Sequence, residues 1–172
     1  ITLSHITSTL HLGAHTDAEN HYAPSASGIE EKALKNYLGL CQVISVNLPR
    51  GTAIASEALT DIPIKAPRVL FRTGSFPDPN CWNGDFNFIS PDVIESFAKK
   101  NVILVGIDTP SIDAAHSKEL PAHQAIHKNK MSILEGIVLS DVPDGLYQLV
   151  ALPLPIVGAD ASPVRAVLLK FN

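Results

Sequence analysis

Two cysteines, one methionine and one tryptophan are all that 172 residues supply of those types. Cys41 and Cys81 lie far apart and match no metal-ligand spacing. A disulfide framework is therefore not expected, and a reducing cytoplasm is the expected compartment. Charge is scarce as well: Asp, Glu, Lys and Arg make up 17%, the formal net charge is -4, and no basic run occurs anywhere. Without clustered Lys and Arg nothing is placed to neutralise a phosphate backbone, so nucleic acid is not an expected partner. Long apolar runs are missing too. The longest, Val102–Ile107 and Leu149–Val157, are strand-sized and too short to cross a bilayer, and no membrane association is expected. What remains is a chain with 45% hydrophobic residues, long enough to fold as one domain around a real core.

Read along the chain, Ile1–Leu12 alternates enough to predict a strand that runs into a loop carrying Gly13 and several histidines. Ile29–Tyr37 reads as a short helix closed by Gly39, and Cys41–Leu48 as a buried strand. Ala53–Leu59 reads as a weak helix and Arg68–Arg72 as another strand. Phe76–Asn87, with Pro77, Pro79, Trp82 and Gly84, is too long for a simple connector, and loops of that kind often cover a site. Ser90–Lys100 carries the clearest helical pattern, with Ser90 able to cap it, Pro91 at its first position and Val93, Ile94 and Phe97 on one face. Val102–Ile107, Ser132–Leu139, Gly145–Leu154 and Ser162–Phe171 complete the strand candidates. The expectation is an α/β domain on a large mixed sheet, curled into a barrel-like core with flanking helices.

Histidine is the unusual residue. There are 7, and three of them fall between His11 and His21. Imidazole and carboxylate are the ligand set of Zn²⁺ and similar ions, and His and carboxylate suit Mn²⁺ and Fe²⁺ as well. A tight loop at Gly13 can converge His11 and His15, while His15 and Asp17, two apart, point the same way on an extended segment. A lone histidine pair is more often structural than ligating; three histidines and an aspartate around a glycine argue for a metal. A second group, His116, His123, His127 and Glu135, can complete the site, although spacing does not say which members take part. Glu135 interrupts the apolar run Ile133–Ile137, so it meets either solvent or a cation. Trp82, Phe86 and Phe88 are candidate walls for an aromatic substrate, with ordinary packing as the plainer reading.

The run His11-Leu12-Gly13-Ala14-His15-Thr16-Asp17-Ala18-Glu19-Asn20-His21-Tyr22 resembles the signature of the metal-dependent cyclase family, above all its bacterial kynurenine formamidases (arylformamidases). The likeness continues through Leu70–Thr73, Gly106–Ser111, Ile133–Gly136, Ala151–Leu154 and Ala161–Val167. It implies a swivelling β/β/α fold, with His11, His15, Asp17, His123 and Glu135 binding metal and Asp17 bridging two ions. It further implies His21 as the catalytic histidine, Zn²⁺ as one or two ions with Mn²⁺ the other option, and a homodimer or higher homo-oligomer. The reaction implied is hydrolysis of the aryl formamide N-formyl-L-kynurenine to L-kynurenine and formate. His5, His116 and His127 match no family role. Glu19-Asn20 departs from the family, which has Pro and an apolar residue before the last histidine, and this bears on pocket shape. Ile1-Thr2-Leu3-Ser4 reads as the middle of a strand, so the single domain over residues 1–172 is expected to lack an N-terminal segment that supplies family members with a strand and an aromatic pocket wall. Two other readings stay open: an isatin-hydrolase-like amidohydrolase acting on another cyclic or aryl amide, and a non-catalytic metal-binding member.

Overall fold

The structure, a computed structural model, describes residues 1–171. Its strands are β1 (His15–Asp17), β2 (Leu38–Ser45), β3 (Ala53–Ile54), β4 (Arg68–Arg72), β5 (Phe88–Ile89), β6 (Leu104–Ile107), β7 (Ser132–Leu134), β8 (Gly145–Val150), β9 (Ala161–Pro163) and β10 (Val167–Leu169). The helices are α1 (Pro91–Lys99) and α2 (Pro121–Lys128). Six strands form one mixed sheet in the order β10-β8-β2-β4-β6-β7. The pairs β2–β4, β4–β6 and β6–β7 are parallel, whereas β8 and β10 join antiparallel. Helices α1 and α2 are the crossovers that parallel pairing demands, from β4 to β6 and from β6 to β7.

Alternation along the strands sorts the apolar side chains onto two faces. Val69, Phe71, Val105, Ile107 and Ile133 pack with α1 and α2 through Val93, Ile94, Phe97, Ala122 and Ile126. Val43, Leu70, Leu104 and Leu134 face the other way and pack with Tyr37, Tyr147 and Leu149. Burial on both faces is why these strands read as continuous apolar runs. The β1–β9 ribbon, paired from His15↔Pro163 to Asp17↔Ala161, is tied to the end of β7 by the bridge His15↔Glu135. The six-stranded order leaves β10 and β7 as its ends, and among the described residues no strand pairing closes the sheet into a barrel.

Several local expectations are corrected. Residues 1–12 make no strand; Ile1, Leu3 and Ile6 are exposed and find no neighbouring backbone to pair with among the described residues. Ile29–Tyr37 and Ala53–Leu59 contain short 3-10 turns at Ile29–Glu31, Leu34–Asn36 and Ser56–Leu59 in place of helices. Strand β7 stops at Leu134 because Gly136 takes a left-handed conformation, φ 62°. The Ser162–Phe171 pattern divides into β9 and β10. Ser90 does precede α1, but its side chain makes no capping hydrogen bond; its backbone carbonyl accepts from Val93 N–H instead. Among the described residues no helix is long and apolar enough to cross a membrane.

Phe97 is fully buried and stacks on Phe71 at 5.9 Å between α1 and the sheet. Phe97→Ala is expected to remove about 3–5 kcal/mol of unfolding free energy in denaturant titration. A loss below about 1 kcal/mol would contradict the placement of the core.

Candidate metal centre and active site

The carboxyl ends of the parallel strands open onto one cavity of about 600 Å³. Open α/β sheets bind ligands at such strand ends. Ser45–Asn47 after β2, Arg72–Gly74 after β4 and Asp108 after β6 line it, with His11 and His15 at one end. Phe76, Pro77, Pro79 and Trp82 supply an apolar wall. The long loop therefore does lie over the site. Trp82 and Phe76 line the cavity, whereas Phe86 is buried behind them, 5.8 Å from Trp82 and 6.2 Å from Phe76 between ring centres. Phe88 sits in β5, away from the cavity lining.

The structure brings His11, His15, Asp17, His21, His123 and Glu135 together. On β1, His15 and Asp17 project to the same side, with His15 Nε2 3.5 Å from Asp17 Oδ1. The β1–β7 bridge brings Glu135 Oε2 to 3.2 Å from His15 Nε2. His11 Nδ1 lies 3.2 Å from Asp17 Oδ1. From α2, His123 Nε2 reaches within 3.3 Å of Asp17 Oδ2 and 3.6 Å of Glu135 Oε1. His21, on the 3-10 turn Glu19–His21, packs on His11 at 4.2 Å between ring centres. His5 and His116 are exposed, and His127 lies outside the cluster, 3.5 Å from Glu19.

Asp17 and Glu135 are only 1% and 2% exposed at their side chains. Two buried carboxylates side by side demand positive charge. Burial pulls His15 and His123 down, but the carboxylates outweigh it. Glu135 and Asp17 raise His15 to about 9; Asp113, Asp17 and Glu135 raise His123 to about 10. Asp17 is held well below the usual carboxylate range, as His11 and His123 overcome the opposite effect of burial. Yet His15 Nε2 and Asp17 Oδ1 are buried with no hydrogen-bond partner. Their neighbours stand near but out of line, as donor atoms do when they are aimed at a shared point rather than at each other. Two overlapping sets, His15–Asp17–Glu135 and His11–Asp17–His21, each present ligand atoms within 4.8 Å of one another. Their chemistry fits a divalent metal, and the shared Asp17 fits a pair of ions.

The supports of the cluster are less visible in the sequence. The Nδ1 of His15 lies 2.9 Å from the Gly13 carbonyl, so it donates there and leaves Nε2 as a free ligand atom. Gly136 packs against that same carbonyl, and a Cβ there would collide with it. Asp113 accepts from the backbone N–H groups of Ala122 and His123 at 3.0 and 3.1 Å and stands 2.7 Å from His123 Nδ1. It caps α2 and aims His123 in one stroke. Asp160, beside β9, stands 3.2 Å from His11 Nε2 and 3.7 Å from His21 Nδ1. Asp108 accepts from Thr73 N, Thr73 Oγ1 and Gly74 N and so shapes the cavity loop, while burial pushes its carboxyl up. Arg72 donates to Ser45 Oγ and the Val142 carbonyl, and Arg165 is exposed.

Two outcomes follow. A metal must displace the protons that the carboxylates hold on His15 and His123, so affinity rises with pH toward about 10, where both have lost them. Calorimetry in buffers of different ionisation enthalpy should read about two protons released on metal binding at pH 7; no release would contradict the ligand assignment. Asp113→Asn should weaken metal binding about 10–100-fold by loosening His123, and unchanged affinity would remove Asp113 from the support.

Comparison with known proteins agrees with this geometry. The Cyclase family model matches residues 3–114. A relative named kynurenine formamidase, from Bordetella pertussis, is 46% identical over 98% of this chain and 80% of its own length. A structure described as a potential metal-dependent hydrolase with cyclase activity superposes with a TM-score of 0.87 at 30% identity, covering 95% of this chain and 81% of the other. An isatin hydrolase bound to the product analogue thioisatinate shares the fold, with a TM-score of 0.73 at 20% identity over 96% of this chain and 74% of its own. The chain is an enzyme and belongs to the Cyclase family, the family of its kynurenine formamidase relatives.

Proposed function

We propose that the chain hydrolyses N-formyl-L-kynurenine to L-kynurenine and formate, using a divalent metal held by His11, His15, Asp17, His123 and Glu135. The observation that carries the reading is the pair of orphaned buried ligand atoms, His15 Nε2 and Asp17 Oδ1, at the end of a cavity walled by Phe76 and Trp82. The 46%-identical relative named kynurenine formamidase supports the choice of substrate. Zn²⁺, as one ion or two, is the metal proposed, with Mn²⁺ the other candidate. Bound there, it supplies Lewis acidity toward the formyl oxygen and lowers the pKa of water.

The chain's own groups do the rest. Phe76, Pro79 and Trp82 hold the aryl ring and exclude water around the amide. His21 takes the proton of the attacking water as its oxygen bonds to the formyl carbon. The same proton then passes to the aniline nitrogen as the C–N bond breaks, because an arylamide anion is a very poor leaving group. His21 suits a base that is neutral near physiological pH: burial and the nearby His11 and His123 pull it down, and Asp17 only partly opposes them. The substrate is a small aryl amide, and the assembly proposed is a homodimer or larger in the cytoplasm.

Metal-loaded protein should turn over N-formylkynurenine, lose activity to chelator and regain it with metal. His21→Ala should lower kcat by about 100-fold or more with metal content intact. Parallel loss of metal would make His21 a ligand. Bound metal with hydrolysis of isatin but not of N-formylkynurenine would move the assignment to the other amide.

A further inference from the structure

We propose that Arg72 receives the α-carboxylate of the substrate, so that the cavity selects aryl formamides carrying an amino-acid tail over those without one. The inference deepens the hydrolase reading above and rests on it. N-formyl-L-kynurenine makes three demands on a site: contacts for its ring, a hydrolytic centre for its formyl group and a counter-charge for its carboxylate. Phe76, Pro79 and Trp82 meet the first, and the cluster that reaches the cavity through His11 and His15 meets the second. For the third, Arg72 is the one Lys or Arg among the described residues that line the cavity. Arg165 lines a different groove, and Arg50 is paired with Asp85 at 2.6 Å.

Arg72 ends β4, opposite Ser45 at the end of β2. Its guanidinium is held at two points: Nε donates to Ser45 Oγ at 2.8 Å and Nη1 to the Val142 carbonyl at 2.7 Å. Nη2 donates no hydrogen bond to any described residue. The carboxylate in ion-pair contact with it is Asp144, with Oδ1 at 3.6 Å, too far for a hydrogen bond. Asp144 accepts instead from Ser45 N–H at 3.0 Å and from Ser45 Oγ–H. The Ser45 hydroxyl thus gives its proton to Asp144 and its lone pair to Arg72, which fixes the guanidinium without saturating it. Asp144 is half exposed, so water screens its pull on the arginine.

The chemistry follows from what each group can do. A guanidinium has five N–H donors in a rigid fork, and Arg72 spends two of them on Ser45 and Val142. The rest, among them both on Nη2, stay open to a carboxylate, which accepts and never donates. Because the fork is already held in place, little side-chain freedom is lost when the carboxylate arrives. The tail takes no part in the reaction, so this contact is the same before and during bond breaking. Such uniform binding lowers KM and leaves kcat almost unchanged. A purely structural Arg72 would instead affect charged and uncharged formamides alike.

The test compares N-formyl-L-kynurenine with its carboxamide, which keeps the ring, formyl group and ammonium and lacks only the negative charge. On metal-loaded wild type, KM should be about 10-fold or more lower for the carboxylate. Arg72→Gln should raise that KM about 10–100-fold, with kcat and the KM of the carboxamide each within about 3-fold. Metal per chain should not change. Arg72→Lys keeps the charge but not the fork, and should recover part of the lost affinity. Equal KM values for the two substrates on wild type, or equal losses on both in a folded Arg72→Gln, would overturn the inference. The wild-type comparison needs no variant and decides the matter alone if Arg72→Gln does not fold. Wild type inactive on both substrates would instead overturn the hydrolase reading and this inference with it.

Discussion

The burial of two carboxylates beside one another is the constraint on which the rest of the site depends. Asp17 and Glu135 are far apart in the chain and meet where β1 is bridged to β7. Each is almost wholly withdrawn from water, and an unpaired buried carboxylate costs several kcal/mol. The protein meets that cost with imidazoles, and it places them so that their ligand atoms converge instead of pairing off. The carboxylates favour protons on His15 and His123, and a divalent cation would meet the same demand. The fold itself thus creates an electrostatic demand that a bound cation would satisfy.

The fold makes that demand through a few backbone devices. Antiparallel pairing of β1 with β9 and the single bridge to β7 bring His15, Asp17 and Glu135 to one point. Left-handed glycines at 13 and 136 allow the two segments to approach so closely that a side chain on Gly136 has no room. The β6–α2–β7 crossover delivers His123 from the far side, and Asp113 both starts that helix and steers the imidazole. The cavity lies at the carboxyl ends of the parallel strands, and His11 and His15 of the cluster line one end of it.

Much of this was legible in the sequence because the decisive residues are neighbours in it. His11, His15, Asp17 and His21 stand within eleven residues around a glycine, and a carboxylate in an apolar strand marks Glu135. The parallel strands were legible as uninterrupted apolar runs, and α1 by its period and Pro91. What escaped was whatever depends on distant partners. Helix α2 has no capping side chain at Leu120; its cap is Asp113, further back in the chain. Asp160 looks like any acidic turn residue until β9 pairs with β1. Ile1–Leu12 shows the reverse error: a strand pattern needs a neighbouring strand, and none of the described residues provides one. Sheet closure depends on which strands pair, which alternation cannot tell.

The most direct test of the central claim is anomalous diffraction from crystals of zinc-loaded protein, recorded at the zinc absorption edge. A peak enclosed by His15 Nε2, Asp17 Oδ1 and Glu135 Oε2, with or without a second one on the far side of Asp17, is the predicted result. Absence of any peak in contact with Asp17, at zinc concentrations that saturate binding in solution, would contradict the account.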